Sequence, residues 1–363
     1  MPVTIFHFMR NNFSNNHDPM KSYFSPNTIR IICGLNFRLL ISSFSFLLLG
    51  NVQAQNTYYS KAAATNFNAP ASWGTNTDGT GFQPASVTNA DNYIIQNGAQ
   101  LTLTADAGVR TLLIQGAGRL TVSANTLTVQ RPENATWRNA SLGVGGTGSA
   151  GALEVTGGNL NINGSLEFNS GSSFTQTGGE ITVDGNAAGS TTNSVPSGTP
   201  IVAIFSTNLN LTGGRLTIVD PHASSTSALQ VGADYTVPFG THTFRFGNGV
   251  STDLGTTSGN GFRYSAFSFP NRFTMGNLVI DMATTGSNRH VTLSALSGIN
   301  GNLTINSGEF RLNSPVAVSG NITNNGTLTS SAFLYFSSYI NGTLSAVTNP
   351  QTVSGSGVFR NNQ

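Results

Sequence analysis

Along most of this chain, apolar and polar residues alternate in short bursts separated by glycine, asparagine and serine. The clearest unit is GNLTINSGEF at residues 301–310, where Leu303 and Ile305 alternate with Asn302, Thr304 and Asn306 before the next glycine. The same pattern returns in GNLNIN (158–163), GSLEFN (164–169), GEITVD (179–184), GRLTIV (214–219), GNLVID (276–281), GEFRLN (308–313), GNITNN (320–325) and GTLTSS (326–331). Successive side chains of a strand point to opposite faces, so each unit predicts a strand of about three to five residues with one apolar and one wet face.

Two architectures use such strands. Asn-Gly pairs at 97–98, 163–164, 325–326 and 341–342 suit the turns of antiparallel hairpins. The spacing points elsewhere: Leu303, Phe310, Val316, Ile322 and Leu328 recur every six or seven residues, whereas sandwich strands recur every 8 to 12 or so. Hairpins that small would not be stable, but a parallel β-helix pairs each strand with its equivalents in the coils above and below. Three short strands and three turns need about 20 residues per coil. The expected fold is therefore all-β, a right-handed parallel β-helix (β-solenoid). Roughly a dozen coils at about 4.8 Å per strand would make a rod on the order of 60 Å long. Asn and Gly suit its corners because both tolerate positive φ. Residues 143–151, 186–200 and 251–261 leave the pattern and are expected to be corner loops, with almost no chemically capable side chains.

Composition agrees with a repeat. Charged residues make up 8% of the 363 and glycine numbers 42, against about 25% charged in ordinary globular domains. The apolar run LLISSFSFLLLG (39–50) follows Arg30 and Arg38 and precedes NVQAQ. That is the form of a secretory signal cleaved after Val52-Gln53-Ala54, too short to span a bilayer. Residues 1–54 are assigned to this signal region, with translation expected to start at Met20, beside Lys21. Cleavage removes Cys33, so no disulfide is expected. It also leaves twelve basic residues against thirteen acidic, with Lys61 the one lysine. No basic patch for nucleic acid and no membrane span remain in the mature chain.

Residues 57–130 differ from the rest. A polar lead-in carrying Ser72-Trp73-Gly74 is followed by a strand ending in Asn97-Gly98, then by LTL, TLLI and RLTV. This succession resembles the glycine-rich all-β module that opens many secreted β-helix proteins. The mature chain as a whole resembles the N-terminal part of the cell-surface solenoids that Bacteroidetes export through type IX secretion. The resemblance implies an N-terminal β capping module over residues 55–130 and β-helix repeats over 131–363. Such proteins usually end in a C-terminal sorting domain, which is not visible here. NPQTVSGSGVFRNNQ stops within a unit with nothing covering it, so the chain is expected to be truncated at the C-terminus.

Chemistry is sparse. A β-helix lyase needs a basic residue to remove a proton, usually beside calcium-binding carboxylates, and a hydrolase needs paired carboxylates. The mature carboxylates are scattered singly, with no Asp-Asp or Asp-x-Asp. Asp220 and His222 flank Pro221 in IVDPHAS, where an Asp-Pro turn leaving a strand is a sufficient explanation. His242 and His290 are expected at exposed strand positions, and Asp281 at a polar strand end. The aromatic runs GFRYSAFSFPNRF (261–273) and SAFLYFSSYI (331–340) could stack on sugar rings, although phenylalanine suits an interior better. No catalytic, cofactor-binding or metal residue is assigned. The expected function is a non-catalytic secreted or cell-surface stalk, adhesin scaffold or matrix component, with extracellular polysaccharide or another surface protein as partner. The alternative is a carbohydrate-active β-helix enzyme, a polysaccharide lyase or glycoside hydrolase. An enzyme should gather carboxylates and basic groups on one face, and a scaffold should show ladders of Asn, Ser and Thr.

Overall fold

The computed structural model describes residues 55–130, 140–146, 149–185, 201–220, 228–232, 234–251, 262–266, 273–284, 289–293, 297–340, 343–346 and 350–361. The expected signal region, Met20, Pro221, His222, loop 186–200 and most of loop 251–261 lie outside them.

The described chain is all-β; its one helical element is the short 3-10 turn Pro70–Ser72. Its strands form two sheets of thirteen, one of five, and a separate two-stranded pair. In the first sheet, Asn92–Ile95, Thr111–Ile114, Leu142–Val144 and Leu166–Phe168 lie side by side, and the series continues to Thr327–Ser330 and Val358–Asn361. Neighbours in all three large sheets are parallel except at one end of the first, where Trp73–Gly74 runs antiparallel to Thr57–Ser60. The chain visits the sheets in rotation. His290–Leu293 belongs to the first sheet, Ser297–Ile299 to the third, Leu303–Ser307 to the second and Glu309–Leu312 to the first again. Apart from the antiparallel pairs Thr57–Ser60 with Trp73–Gly74 and Ser338–Ile340 with Thr343–Ser345, the strands thus pair with their counterparts one circuit away and not with their chain neighbours, which fits a β-solenoid.

The shortest circuits are close to the expected length: Glu309 lies beside Thr327, eighteen residues on, and Asn92 beside Thr111 and Leu293 beside Leu312, nineteen residues on in each case. Others are longer, and Leu166 lies beside Val202. In the N-terminal half the second sheet takes two strands from each circuit, such as Gly151–Val155 and Asn159–Asn163. In Ser173–Asp184 and Asn208–Asp220 these fuse into one strand, and the register shifts around Gly178-Gly179 and Gly213-Gly214.

The period-two pattern places the core. Leu303, Ile305, Phe310, Val316 and Ile322 are fully buried, and Leu328 almost so. Each contributes roughly 1.5 to 3 kcal/mol. The Asn-Gly pair at 97–98 has positive φ at both residues (56° and 73°). It nevertheless joins a strand of the first sheet to Gln100–Thr102 of the second, so it turns a corner and closes no hairpin. At the N-terminal end Phe67 and Trp73 pack on Tyr93 (ring centroids 6.4 and 4.9 Å), and the Trp73 indole N–H donates to the Phe67 carbonyl at 2.9 Å. In the last described strands Val353, Val358 and Phe359 are exposed.

The repeat glycines divide by cause. Gly158, Gly179, Gly214 and Gly308 have positive φ. Gly276, Gly301 and Gly320 do not; there a Cβ would strike atoms of the neighbouring circuit, for Gly320 at 2.5 Å from the Gly301 carbonyl oxygen. Each of these three is followed by asparagine, and the asparagines form a ladder. The Asn302 N–H donates to Asn277 Oδ1 at 3.0 Å, the Asn321 N–H to Asn302 Oδ1 at 2.9 Å, and the Thr352 N–H to Asn321 Oδ1 at 2.9 Å.

Candidate functional site

Two surfaces hold more polar chemistry than a plain rod needs. The first is a charged row on the outer face of the second sheet. Glu180 and Arg215 are ladder neighbours, and the guanidinium grips the carboxylate with both arms, Nε to Oε1 at 3.0 Å and Nη2 to Oε2 at 2.6 Å. Thr217 also donates to Glu180 Oε1 at 3.0 Å. Two strands on, Arg245 pairs with Asp281. Four consecutive strands therefore bring together two carboxylates and two arginines from residues 180, 215, 245 and 281. Burial pushes the Glu180 carboxyl up, but the Arg215 and Thr217 hydrogen bonds and the Arg215 and Arg245 charges outweigh it and hold it below its ordinary range.

The first sheet repeats the construction. Arg311 Nη2 donates to Glu309 Oε2 at 2.7 Å and Thr329 Oγ1 to Glu309 Oε1 at 2.6 Å. Burial again pushes the carboxyl up and the hydrogen bonds again hold it low. His290 lies beside Glu309 in the ladder. Both glutamates are thus ionised groups whose two oxygens are already engaged, which is poor equipment for a general acid.

The second surface is an open groove of about 510 Å³ along the corner between the third and second sheets. Phe239, Asn300, Asn302, Ser319, Asn321 and Ser338 are among its lining residues. Phe239 is 60% exposed. The turn that carries it is tied down: the Gly240 N–H donates to the Asn300 carbonyl, Asn300 Nδ2 to the Val237 carbonyl and Asn277 Nδ2 to the Gly240 carbonyl. The hydroxyls of Ser319 and Ser338 are buried and have no hydrogen-bond partner among the described residues. Ser338–Ile340 pairs antiparallel with Thr343–Ser345, a hairpin that stands outside the three sheets.

The individual candidates fare differently. Asp220 ends the strand Asn208–Asp220, while His222 lies outside the described residues. Asp281 ends Asn277–Asp281 and is drawn into the charged row. His242 and His290 are not exposed: they are 0% and 5% accessible. His242 shares the inward parity of Phe244 and Phe246, and its Nε2 bonds to Gln176 Oε1 at 2.9 Å. Burial pushes its pKa down to about 3, so it is neutral in the fold. Of the aromatic runs, Phe273 is buried, but Phe333 and Phe336 are exposed, against the expectation that phenylalanine there fills the interior. Among the described residues no three His, Cys, Asp or Glu side chains converge as metal ligands. No helix among them is long and apolar enough to cross a membrane.

No known family, curated protein or solved structure matches this chain.

The charged row and the groove were both missed by sequence reasoning. Glu180 and Arg215 are 35 residues apart, and nothing in the intervening chain announces that one circuit separates them.

Proposed function

We propose that this chain is a non-catalytic secreted or cell-surface β-solenoid, a right-handed parallel β-helix serving as stalk, adhesin scaffold or matrix component. The observation that carries the reading is the state of Glu180 and Glu309. Each is saturated by one arginine and one threonine and held ionised, as befits groups that brace neighbouring circuits. The asparagine ladder at 277, 302 and 321 supports it as well, since it satisfies corner N–H groups with side chains of the same chain. Export rests on the signal pattern of residues 1–54, and a place among Bacteroidetes type IX passengers rests on the resemblance of residues 57–363. Recovery from the culture medium of a chain beginning at Gln55 is the expected outcome; retention in the cytoplasm with Met1 or Met20 intact would remove this part of the reading.

A second reading has one observation in its favour. Glu180, Arg215, Arg245 and Asp281 gather on one face, the feature expected of a carbohydrate-active β-helix enzyme. Incubating the protein with a panel of neutral and acidic polysaccharides, and following new reducing ends and the ultraviolet absorbance of unsaturated products, separates the two. No cleavage is expected. Cleavage that disappears in Glu180→Gln or Asp281→Asn would replace the scaffold by the enzyme.

A further inference from the structure

We infer that the groove beside Phe239 is a binding site for an uncharged saccharide. The inference deepens the scaffold reading by naming what one part of the surface holds, and it rests on the groove's own chemistry.

Four features define the ligand. The first is size: about 510 Å³ lies within the range of small-molecule sites, roughly 300 to 1,000 Å³. The second is an aromatic surface presented rigidly. Phe239 projects from a turn fixed by hydrogen bonds to the Asn277 and Asn300 side chains and the Asn300 backbone. An exposed ring on a backbone turn that is already fixed offers a flat apolar face to the C–H side of a sugar, with no backbone left to order on binding.

The third feature is unfilled hydrogen-bonding capacity. Ser319 is 8% accessible, and neither its hydroxyl nor that of Ser338 has a hydrogen-bond partner among the described residues. A buried hydroxyl left unpaired costs roughly 1 to 3 kcal/mol, and two lining one groove mark a place where another molecule's hydroxyls complete the set. The floor adds donors. Asn302 and Asn321 commit their carboxamide oxygens to the ladder, which directs each NH2 away from it. Gln351 commits its own NH2 to the Val318 and Gly320 carbonyls at 2.8 and 3.1 Å, fixing the corner from the side of the last circuit.

The fourth feature is charge. Among the described residues the lining contains no Asp, Glu, Lys or Arg. A uronate or a phosphorylated ligand would lose hydration there without gaining a counter-charge, whereas a neutral sugar exchanges water hydrogen bonds for equivalent ones. The groove also follows the solenoid corner from circuit to circuit, through residues 239, 300–302, 319–321 and 350–351, so a linear polymer can lie along it.

Affinity electrophoresis of the full protein through gels containing glucan, mannan, xylan or galactan, with polygalacturonate as the anionic probe, tests this. Retardation by at least one neutral polymer is expected. Phe239→Ala should weaken it about tenfold, the loss typical of a central aromatic contact, and Ser319→Ala roughly three- to tenfold. Phe82→Ala removes a ring that is 85% exposed on the N-terminal segment and should change nothing. Phe239 is itself exposed, so the variant should fold, and an unchanged melting temperature checks that it does. The inference is overturned if no neutral polymer retards the protein, if Phe239→Ala and Ser319→Ala migrate as the parent does, or if polygalacturonate retards it equally. Retention with cleavage would keep the groove and remove the scaffold reading; neither retention nor cleavage would remove the groove alone.

Discussion

His242 shows what burial does to one side chain. Gln176 Nε2 donates to the Arg215 carbonyl at 2.9 Å, so its Oε1 is left to accept, and the imidazole carries its proton on Nε2. Nδ1 has no partner. The folded-state pKa near 3 stands against about 6.5 in the unfolded chain. Between those values the unfolded chain binds a proton that the folded chain refuses, so stability falls as pH drops from about 6.5 toward 3. From pH 7 to pH 5 this amounts to about 2 kcal/mol. Glu180 and Glu309 also weaken the fold in acid, because their folded values are depressed, but only as pH falls through and below the carboxylate range. A measurement at pH 5 therefore keeps these two carboxylates out of the comparison, and the difference between parent and variant belongs to His242. His242→Phe should show a much smaller change in urea midpoint between pH 7 and pH 5 than the parent. At pH 7 it should lose roughly 1 to 3 kcal/mol, because Gln176 Oε1 is left without its donor. An identical pH response in parent and variant would show that His242 is not the group that titrates. The inward parity of His242 was legible in THTFRF, since positions 242, 244 and 246 share a face; only the habit of placing histidine outside argued otherwise. His290 is different. It precedes the buried Val291 and so points outward by parity, and its burial was not legible from its own strand.

At the level of the strand and its corner, the sequence states the period clearly and the reason for each corner residue hardly at all. The dipeptide Gly-Asn recurs at 276–277, 301–302 and 320–321, but which property of glycine is used depends on the circuit beneath. At Gly98 the backbone has φ 73° and a Cβ would meet open space. At Gly320 φ is not positive and a Cβ would meet the Gly301 carbonyl oxygen and, at 2.6 Å, Asn302 Oδ1. The side chain that builds the ladder is thus one of the atoms that forbids a side chain on the next glycine. Asparagine tolerates the left-handed region but not a collision. Gly98→Asn is therefore expected to leave the melting temperature nearly unchanged, whereas Gly320→Asn should cost about 1 to 3 kcal/mol through displaced backbone. Removing the ladder itself by Asn302→Ala leaves the Asn321 N–H to water at an exposed corner, and should cost less, about 0.5 to 1.5 kcal/mol. Differential scanning calorimetry of the three variants tests the ranking; equal losses at Gly98 and Gly320 would mean that conformation, not contact, selects glycine at both.

At the level of the whole stack, the all-β class, the parallel pairing and the inward residues were readable, because period two and the six-to-seven-residue spacing are properties of each circuit alone. The charged row and the groove were not, because they depend on which residues become neighbours between circuits. Circuits run from eighteen residues at Glu309 to Thr327 up to thirty-eight at Tyr235 to Phe273, so separation along the chain does not give position along the stack. That same organisation governs how the molecule should fail. Each circuit touches mainly the ones before and after it, so stability is close to a sum of nearest-neighbour terms. Leu303 is fully buried and stacks between Leu278 and Ile322. Leu303→Asp puts a carboxylate among aliphatic side chains with no basic partner, a change worth more than about 4 kcal/mol. In a globular domain such a loss lowers protection everywhere. Here hydrogen exchange is expected to accelerate in Asn277–Asp281, Leu303–Ser307 and Ile322–Asn324 while Asn92–Ile95 and Thr111–Ile114 keep their parental rates. Uniform acceleration across all five strands would show that the stack unfolds as one cooperative unit, and unchanged exchange at Leu303–Ser307 would show that residue 303 does not pack in the core.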